Sequence, residues 1–93
     1  MYSLYGYVTP QLWLHPAVII GGASFTTATA YCSAGSFIAN LYAEDKTTLL
    51  GTVDSSSAEP TAIAHTVDAP VGLIWARITA VSGDGMAAAI FLS

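Results

Sequence analysis

The chain has 93 residues, of which 54% are hydrophobic and only 9% are charged, and its formal net charge is −4. Lys46 and Arg77 are the only lysine and arginine, so the chain lacks the basic surface that binding to nucleic acid requires. The composition also excludes intrinsic disorder, which needs low hydropathy and high net charge. No charged residue precedes Glu44, and the length allows a single domain.

Residues 1–22 are predicted to form an extended arm. Pro10 and Pro16 interrupt any long strand, and proline is confined to sheet edges or irregular segments. The arm would lie on another protein, so its large apolar residues are the candidate partner-binding residues. The alternative is an edge strand and loop that cover one end of the domain. These candidates are Tyr2, Tyr5, Tyr7, Leu12, Trp13 and Leu14.

Residues 23–93 are predicted to fold as an all-β domain, a small antiparallel β-sandwich or barrel. β-Branched and aromatic residues occur in short runs that Gly, Ser and Pro clusters separate. The charged trio Glu44-Asp45-Lys46 is predicted to be a hairpin tip, and Gly83-Asp84-Gly85 a second tight turn. About six strands are predicted, at residues 24–32, 36–43, 48–53, 61–67, 72–81 and 86–92.

A membrane-spanning helix over residues 17–43 is an alternative to the first two of these strands. The segment is uncharged and long enough. However, Gly, Thr, Ser and Asn dilute its hydropathy, and no Lys or Arg flanks its N-terminal end. A small membrane protein is therefore the third hypothesis, and no membrane partner is expected.

The chemistry-bearing residues show no catalytic or metal-binding pattern. The two histidines and Cys32 lack the spacing of a zinc site. Because Cys32 is the only cysteine, no intrachain disulfide can form. Glu44, Asp45 and Asp84 could bind calcium, but acids at hairpin tips are usually solvated. We therefore expect no cofactor and no enzymatic activity.

Trp13 and Trp75 could form a platform for stacking on sugars, as in a carbohydrate-binding or tail-fibre adhesin module. This is the second hypothesis. Trp75 lies in the middle of a well-patterned strand, which favours a role in the core. Arg77 shares its alternating face, and is expected to pair with an acid such as Asp54 or Asp68 or with a neighbouring chain.

The apolar content exceeds what a domain of this size can bury. Small domains bury a smaller share of their surface than large ones, and apolar patches that remain exposed usually mark interfaces. Too few charged residues are present to cover the outside. Self-association or docking onto a larger assembly is therefore the main functional inference.

Two segments, which together cover about half the chain, resemble parts of a known family. Residues 71–93, "VGLIWARITAVSGDGMAAAIFLS", resemble the C-terminal hairpin of small β-sandwich structural proteins of tailed bacteriophages, of the capsid cement or decoration type. Residues 41–53, "LYAEDKTTLLGTV", resemble the strand, acidic turn and strand of the same proteins. The run Ala87-Ala88-Ala89 departs from the pattern, in which larger β-branched residues are usual.

This resemblance implies a non-enzymatic virion protein on the capsid surface, assembled in the host cytoplasm. Such proteins are commonly homotrimers and grip a major capsid protein or another virion subunit with an N-terminal or loop extension. A tail or fibre adaptor is the other role that the resemblance allows. The lead hypothesis is a cement protein that binds across the seams between coat subunits through its apolar surface.

Overall fold

A computed structural model describes residues 2–8, 13–57, 59–83 and 86–93. The described residues form eight antiparallel β-strands in two four-stranded sheets. The first sheet has the order β1-β8-β3-β6 and the second has the order β2-β7-β4-β5. The strands are β1 (Tyr2–Tyr7), β2 (Ala17–Ile20), β3 (Ala23–Cys32), β4 (Ser36–Tyr42), β5 (Leu49–Asp54), β6 (Thr61–Val67), β7 (Val71–Ser82) and β8 (Ala87–Leu92).

The two sheets pack on one shared core, and the strand alternation produces it. Successive side chains of a strand point to opposite faces of its sheet, so every second residue is buried. In β8, for example, Ile90 and Leu92 are buried while Ala89 and Phe91 are partly exposed. The largest fully buried side chains come from both sheets: Leu4, Val8, Leu14, Ile19, Phe37, Leu41, Val53, Ile74, Ile78, Met86, Ile90 and Leu92.

The predicted antiparallel β-sandwich is confirmed. Each of the six predicted strands corresponds to one of β3 to β8, with bounds that agree to within one residue. The helix considered over residues 17–43 is wrong, because β2, β3 and β4 occupy that segment. No helix in the described ranges is long and apolar enough to cross a membrane.

The extended arm predicted over residues 1–22 is not what the described part of that segment forms. β1 pairs with β8 at the edge of one sheet, and β2 pairs with β7 at the edge of the other. Leu14 and Ile19 are buried in the core. Pro16 lies just before β2 and therefore does not interrupt a strand. The alternative, an edge strand and loop that cover one end of the domain, is closer to the structure, in which the segment supplies an edge strand to each sheet.

A short stretch between β1 and β2 links the two sheets. The amide of His15 donates to the carbonyl of Tyr5 in β1 at 2.7 Å, and the amide of Leu14 donates to the carbonyl of Ala76 in β7 at 2.9 Å. Trp13 forms a β-bridge with Arg77. Because this stretch bonds to both sheets, it covers one side of the sandwich, where free strand edges would otherwise invite pairing with other chains.

Neighbouring isoleucines in β2 test whether the N-terminal segment belongs to the core. Ile19 is 0% exposed and Ile20 is 62% exposed. We expect Ile19→Ala to lower the free energy of unfolding by about 2–5 kcal/mol, because it leaves a cavity. The matched change Ile20→Ala should alter it by less than about 0.5 kcal/mol. Urea unfolding followed by circular dichroism measures both, and equal small effects would mean that the segment is a detachable arm.

Candidate functional site

The four described strands of one sheet carry no charged residue. The strands β1, β8, β3 and β6 contain no Asp, Glu, Lys or Arg. Antiparallel sheets that face water on one side usually place charged or polar residues there. The outward side chains of this sheet, which we call the uncharged face, are instead aromatic, hydroxyl-bearing or small. They include Ser3, Tyr5, Tyr7, Ser24, Thr29, Tyr31, Thr66, Ala87, Ala89 and Phe91.

The centre of the uncharged face is a row of small residues between tyrosines. Ala89 of β8 lies opposite Tyr5 of β1 on one side and Tyr31 of β3 on the other. Tyr31 packs edge-on against Phe91, with 5.5 Å between ring centroids. Tyr5 and Tyr31 are 53% and 56% exposed. Beside Tyr31, the small residues of the alanine run 87–89 leave a shallow apolar depression that an opposing side chain can fill.

Cys32 borders this depression beside Ser33 and the alanine run, and its side chain packs against the core. Its thiol is within hydrogen-bonding distance of the Gly35 carbonyl at 3.2 Å and of the Ser55 hydroxyl at 3.4 Å. The thiol is thus partly buried and engaged by neighbouring oxygens.

The tyrosines predicted to bind a partner divide into two groups. Tyr5 and Tyr7 are exposed on the uncharged face, at 53% and 68%. Tyr5 also stacks on the ring of His15, with 4.8 Å between centroids and 13° between planes. Tyr2 is half-buried and packs edge-on against Phe25 at 5.4 Å, so it contributes mainly to the inner packing.

The remaining predicted partner-binding residues are not together. Leu14 is 1% exposed and belongs to the core, so its assignment to a partner interface is wrong. The strand-like alternation that turns Leu14 inward turns Trp13 outward, onto the other sheet. Leu12 lies outside the described residues. Tyr5 and Tyr7 therefore share one face, while Trp13 belongs to a different surface.

The outward face of the second sheet carries a cluster of aromatic and basic side chains. Trp13, Tyr42, Trp75, Lys46 and Arg77 form it, and we call it the aromatic–cation cluster. The centroid of Trp13 is 5.7 Å from that of Tyr42 and 6.2 Å from that of Trp75. The ammonium of Lys46 lies 3.9 Å from the centroid of Trp75 and 5.1 Å from that of Trp13. The guanidinium carbon of Arg77 lies 5.8 Å from the centroid of Trp13.

Cross-strand pairing assembles this cluster. Tyr42 in β4 lies opposite Trp75 in β7, and Asn40 lies opposite Arg77. Residues opposite one another on one face are in side-chain contact range. The bridge from Trp13 to Arg77 adds the third aromatic ring.

Two expectations for this surface need correction. Trp75 is not in the core but on the outward face, where it is only partly buried. Arg77 is also exposed there, and it lies over the ring of Trp13 rather than beside the carboxylate of Asp54 or Asp68. Its pairing with a neighbouring chain stays a prediction. The alternation in β7 assigns the correct residues to each face of the strand. The buried face, however, is the one that carries Ile74 and not the one that carries Trp75.

The position of Lys46 depends on the turn that Asp45 holds. The carboxylate of Asp45 accepts hydrogen bonds from the amides of Thr47 and Thr48, both at 2.9 Å, and from the hydroxyl of Thr48 at 2.7 Å. The amide of Thr48, followed by that of Thr47, holds the pKa of Asp45 well below its usual range. Lys46 itself has a φ of 60°, which is uncommon for a non-glycine residue. The turn therefore fixes where the ammonium lies.

A chain of hydrogen bonds runs along the cluster. The hydroxyl of Thr52 donates to the side-chain oxygen of Asn40 at 2.8 Å, and the amide nitrogen of Asn40 donates to the hydroxyl oxygen of Tyr42 at 3.3 Å. The Tyr42 hydroxyl thus accepts within the protein, and its own proton remains to be donated. The indole nitrogen of Trp75 is buried and has no hydrogen-bond partner in the described part of the chain.

A second cleft lies between the β4–β5 turn and the β6–β7 turn. Glu44, Asp45, His65 and Asp68 contribute to its lining. The carboxylate of Glu44 accepts a hydrogen bond from the amide of Leu73 at 3.1 Å, and Asp45 is engaged in its own turn. Across the described ranges, no three His, Cys, Asp or Glu residues are grouped as metal ligands. Of the calcium candidates, Asp84 lies outside the described residues.

Tyr42, Lys46 and Tyr31 were not among the sequence-based candidates. Tyr42 and Lys46 become partners of Trp75 only through the pairing of β4 with β7. The one sequence signal was that Lys46 directly follows the acidic pair of a predicted hairpin tip. The uncharged face had a clear signal, since the predicted strands that form most of it contain no charged residue.

Replacing Asp45 with alanine is expected to free the turn and move Lys46 away from Trp75. In the wild-type protein, the side-chain protons of Lys46 should resonate upfield in NMR spectra, because they lie over an indole ring. Asp45→Ala should return them towards the values of an unstructured peptide. Asp68→Ala removes an exposed carboxylate outside the turn and should leave them unchanged.

The same signals should also report the lowered pKa of Asp45. A carboxylate with a lowered pKa in the folded state stabilises that state above its unfolded pKa of about 3.8 and loses this contribution as the pH falls through the lower, folded value. The upfield shift should therefore persist as the pH falls through 3.8. A shift that disappears at or above that pH would contradict the proposed role of Asp45.

Comparisons with known proteins identify no relative of this arrangement. No model of a known protein family matches the chain, and no curated protein and no solved structure matches it. The uncharged face and the aromatic–cation cluster are therefore interpreted from their own chemistry.

Proposed function

We propose that the chain is a non-enzymatic structural subunit of a virus particle, of the capsid cement or decoration type, and that it associates with copies of itself through the uncharged face. The observation that supports assembly is the absence of Asp, Glu, Lys and Arg from all four strands of one sheet. The class of particle comes from the resemblance of residues 41–53 and 71–93 to such proteins.

The composition of the uncharged face suits contact with protein. Tyrosine is enriched at the centres of interfaces, and charged residues are depleted there. Tyr5, Tyr7 and Tyr31 present large, rigid surfaces, and covering them removes no ionised group from water. Ser3 and Thr29 lie on either side of Phe91 and offer hydroxyl groups that can hydrogen-bond across an interface.

Charge favours a second copy as the occupant of this face. The chain carries a formal net charge of −4, so two copies repel each other over most of their surfaces. The uncharged face is the side on which like surfaces can meet without opposing like charges. Homo-oligomers bring identical or neighbouring patches together in this way. The resemblance implies a trimer, with a major capsid protein or another virion subunit as the further partner on the capsid surface.

A subunit of this kind would act by binding only the assembled lattice. A ligand that binds one state and not another stabilises that state by RT ln(1 + L/Kd), where L is its free concentration. Each copy that spans a seam between coat subunits therefore opposes dissociation of the shell, and no chemical step is required.

Self-association through the uncharged face can be tested by replacing either of two matched alanines with glutamate. Ala87 and Ala80 are both exposed strand residues, Ala87 on the uncharged face and Ala80 on the second sheet. We expect the wild-type protein to form a discrete oligomer in light scattering. Ala87→Glu should convert it to a monomer with an unchanged circular dichroism spectrum, because the carboxylate would have to be desolvated at the contact. Ala80→Glu should leave the oligomer intact.

Two results would contradict self-association through this face. One is a wild-type protein that remains a clean monomer at high concentration. The other is equal loss of the oligomer in Ala87→Glu and Ala80→Glu, since net charge rather than position would then decide assembly.

The particle assignment needs its own measurement. Particles sedimented from the biological source of the chain should carry it in a fixed ratio to their coat protein. Mild denaturant should release it before the shell dissociates, because a cement subunit is bound from outside. Failure to find the chain in sedimented particles would overturn the assignment to a virion and leave the self-association result standing.

A further inference from the structure

The only lysine, the only arginine and both tryptophans of the chain meet in the aromatic–cation cluster. This surface plays no part in the assembly proposed above, since it lies on the opposite sheet. We propose that the cluster binds an acidic carbohydrate, a sugar ring that carries a carboxylate or a sulfate group.

Charge specifies one half of this ligand. Lys46 and Arg77 place two positive charges on one cluster of a chain whose formal net charge is −4. In the described part of the chain, no carboxylate forms an ion pair with either side chain. Each cation lies over an indole ring, which does not neutralise it. An anion from outside would complete the site.

The hydrogen-bonding groups of the cluster are donors. Arg77 and Lys46 have no acceptor atoms in their side chains. The hydroxyl oxygen of Tyr42 already accepts from Asn40, which leaves its proton to donate. The indole N–H of Trp75 also lacks an acceptor in the described residues, but it is buried and is not accessible to a ligand on the surface. A ligand rich in acceptor oxygens, such as a carboxylate or sulfate with neighbouring hydroxyls, matches this set.

The aromatic rings indicate the second feature of the ligand, a sugar ring. Trp13 and Tyr42 are partly exposed and their planes meet at 55°, so together they form an angled apolar surface. The C–H face of a sugar ring packs on such surfaces. Lys46 covers the face of Trp75, which therefore supports the cluster from below rather than stacking on the ligand. The sugar ring would lie on Trp13 and Tyr42, with its acid group towards Arg77 and Lys46.

The position in the sheet favours a carbohydrate over an acidic peptide. Extended peptides commonly bind by adding a strand to a free sheet edge. The cluster lies on β7 and β4, which are the two inner strands of the order β2-β7-β4-β5. No backbone edge is free there, so recognition must depend on side chains alone, which suits a short, ring-shaped ligand.

The test uses a carbohydrate whose charge can be removed without changing its ring. Trigalacturonate carries carboxylates, and its methyl ester is the neutral counterpart. Each is titrated into the full chain while the two indole N–H signals are followed by NMR and the affinity is measured by calorimetry. A sulfated disaccharide and a short polyglutamate peptide form two further arms. Trigalacturonate or the sulfated sugar should shift both indole signals, and the ester should bind at least about tenfold more weakly.

Matched variants separate the cluster from net charge. Arg77→Gln and Lys46→Gln should each weaken binding by at least about tenfold, as expected for the loss of a charge-assisted hydrogen bond. Ser82→Glu lowers the net charge by the same one unit as Arg77→Gln, five residues or about 17 Å further along β7. It should change the affinity by no more than about twofold. The assembly variant Ala87→Glu should also retain binding, which keeps this site separate from the proposed oligomer.

Three outcomes would overturn the proposal. The first is the absence of any shift in the indole signals at carbohydrate concentrations up to about 10 mM. The second is equal binding of trigalacturonate and its ester, because the cations would then play no part. The third is tighter binding of polyglutamate than of either acidic sugar, which would make the surface a site for acidic peptides.

Discussion

The pairing of residues 13–20 with β7 is the contact on which the rest of the structure depends. The amide of Leu14 donates to the carbonyl of Ala76, and β2 continues the ladder from Ala17 opposite Ile74. Alternation along this stretch buries Leu14 and turns Trp13 outward. One ladder thus completes the core on one side of the sheet and supplies the central ring of the aromatic–cation cluster on the other.

The distribution of charge follows from the same architecture. The strands of the first sheet contain no charged residue, while Asp54 and Arg77 lie in strands of the second sheet. The other charged side chains belong to the connections between strands. The few charges are therefore unevenly distributed. The strands of the first sheet carry no charged residue, and the outward face of the second sheet carries both cations. This asymmetry gives the two faces different partners, an apolar protein surface for one and an anion for the other.

The sequence predicts β3 to β8 well, because two-residue alternation and turn residues are local signals, but it does not predict β1 and β2. It assigns Ile74 and Trp75 to opposite faces of β7 but does not say which face is inside, since both are apolar and only packing against the other sheet decides. Trp75 was therefore expected in the core. Pro16 suggested an arm because a proline disfavours a strand, yet here it precedes β2, which is only four residues long. Lys46 reaches Trp75 through the β4–β7 register and a left-handed backbone, which no local pattern reveals.

The aromatic–cation cluster is stable although one of its hydrogen-bond donors has no acceptor in the described structure. A buried donor without an acceptor costs about 1–3 kcal/mol, and the indole nitrogen of Trp75 is such a donor in the described structure. Aromatic pairs contribute about 0.5–1.5 kcal/mol each, and an exposed cation over an indole contributes about 0.5–1 kcal/mol. Trp13 makes two such aromatic contacts, and Lys46 lies over Trp75. These gains offset the cost of the unpaired donor, and the donors of Lys46, Arg77 and Tyr42 stay available at the surface.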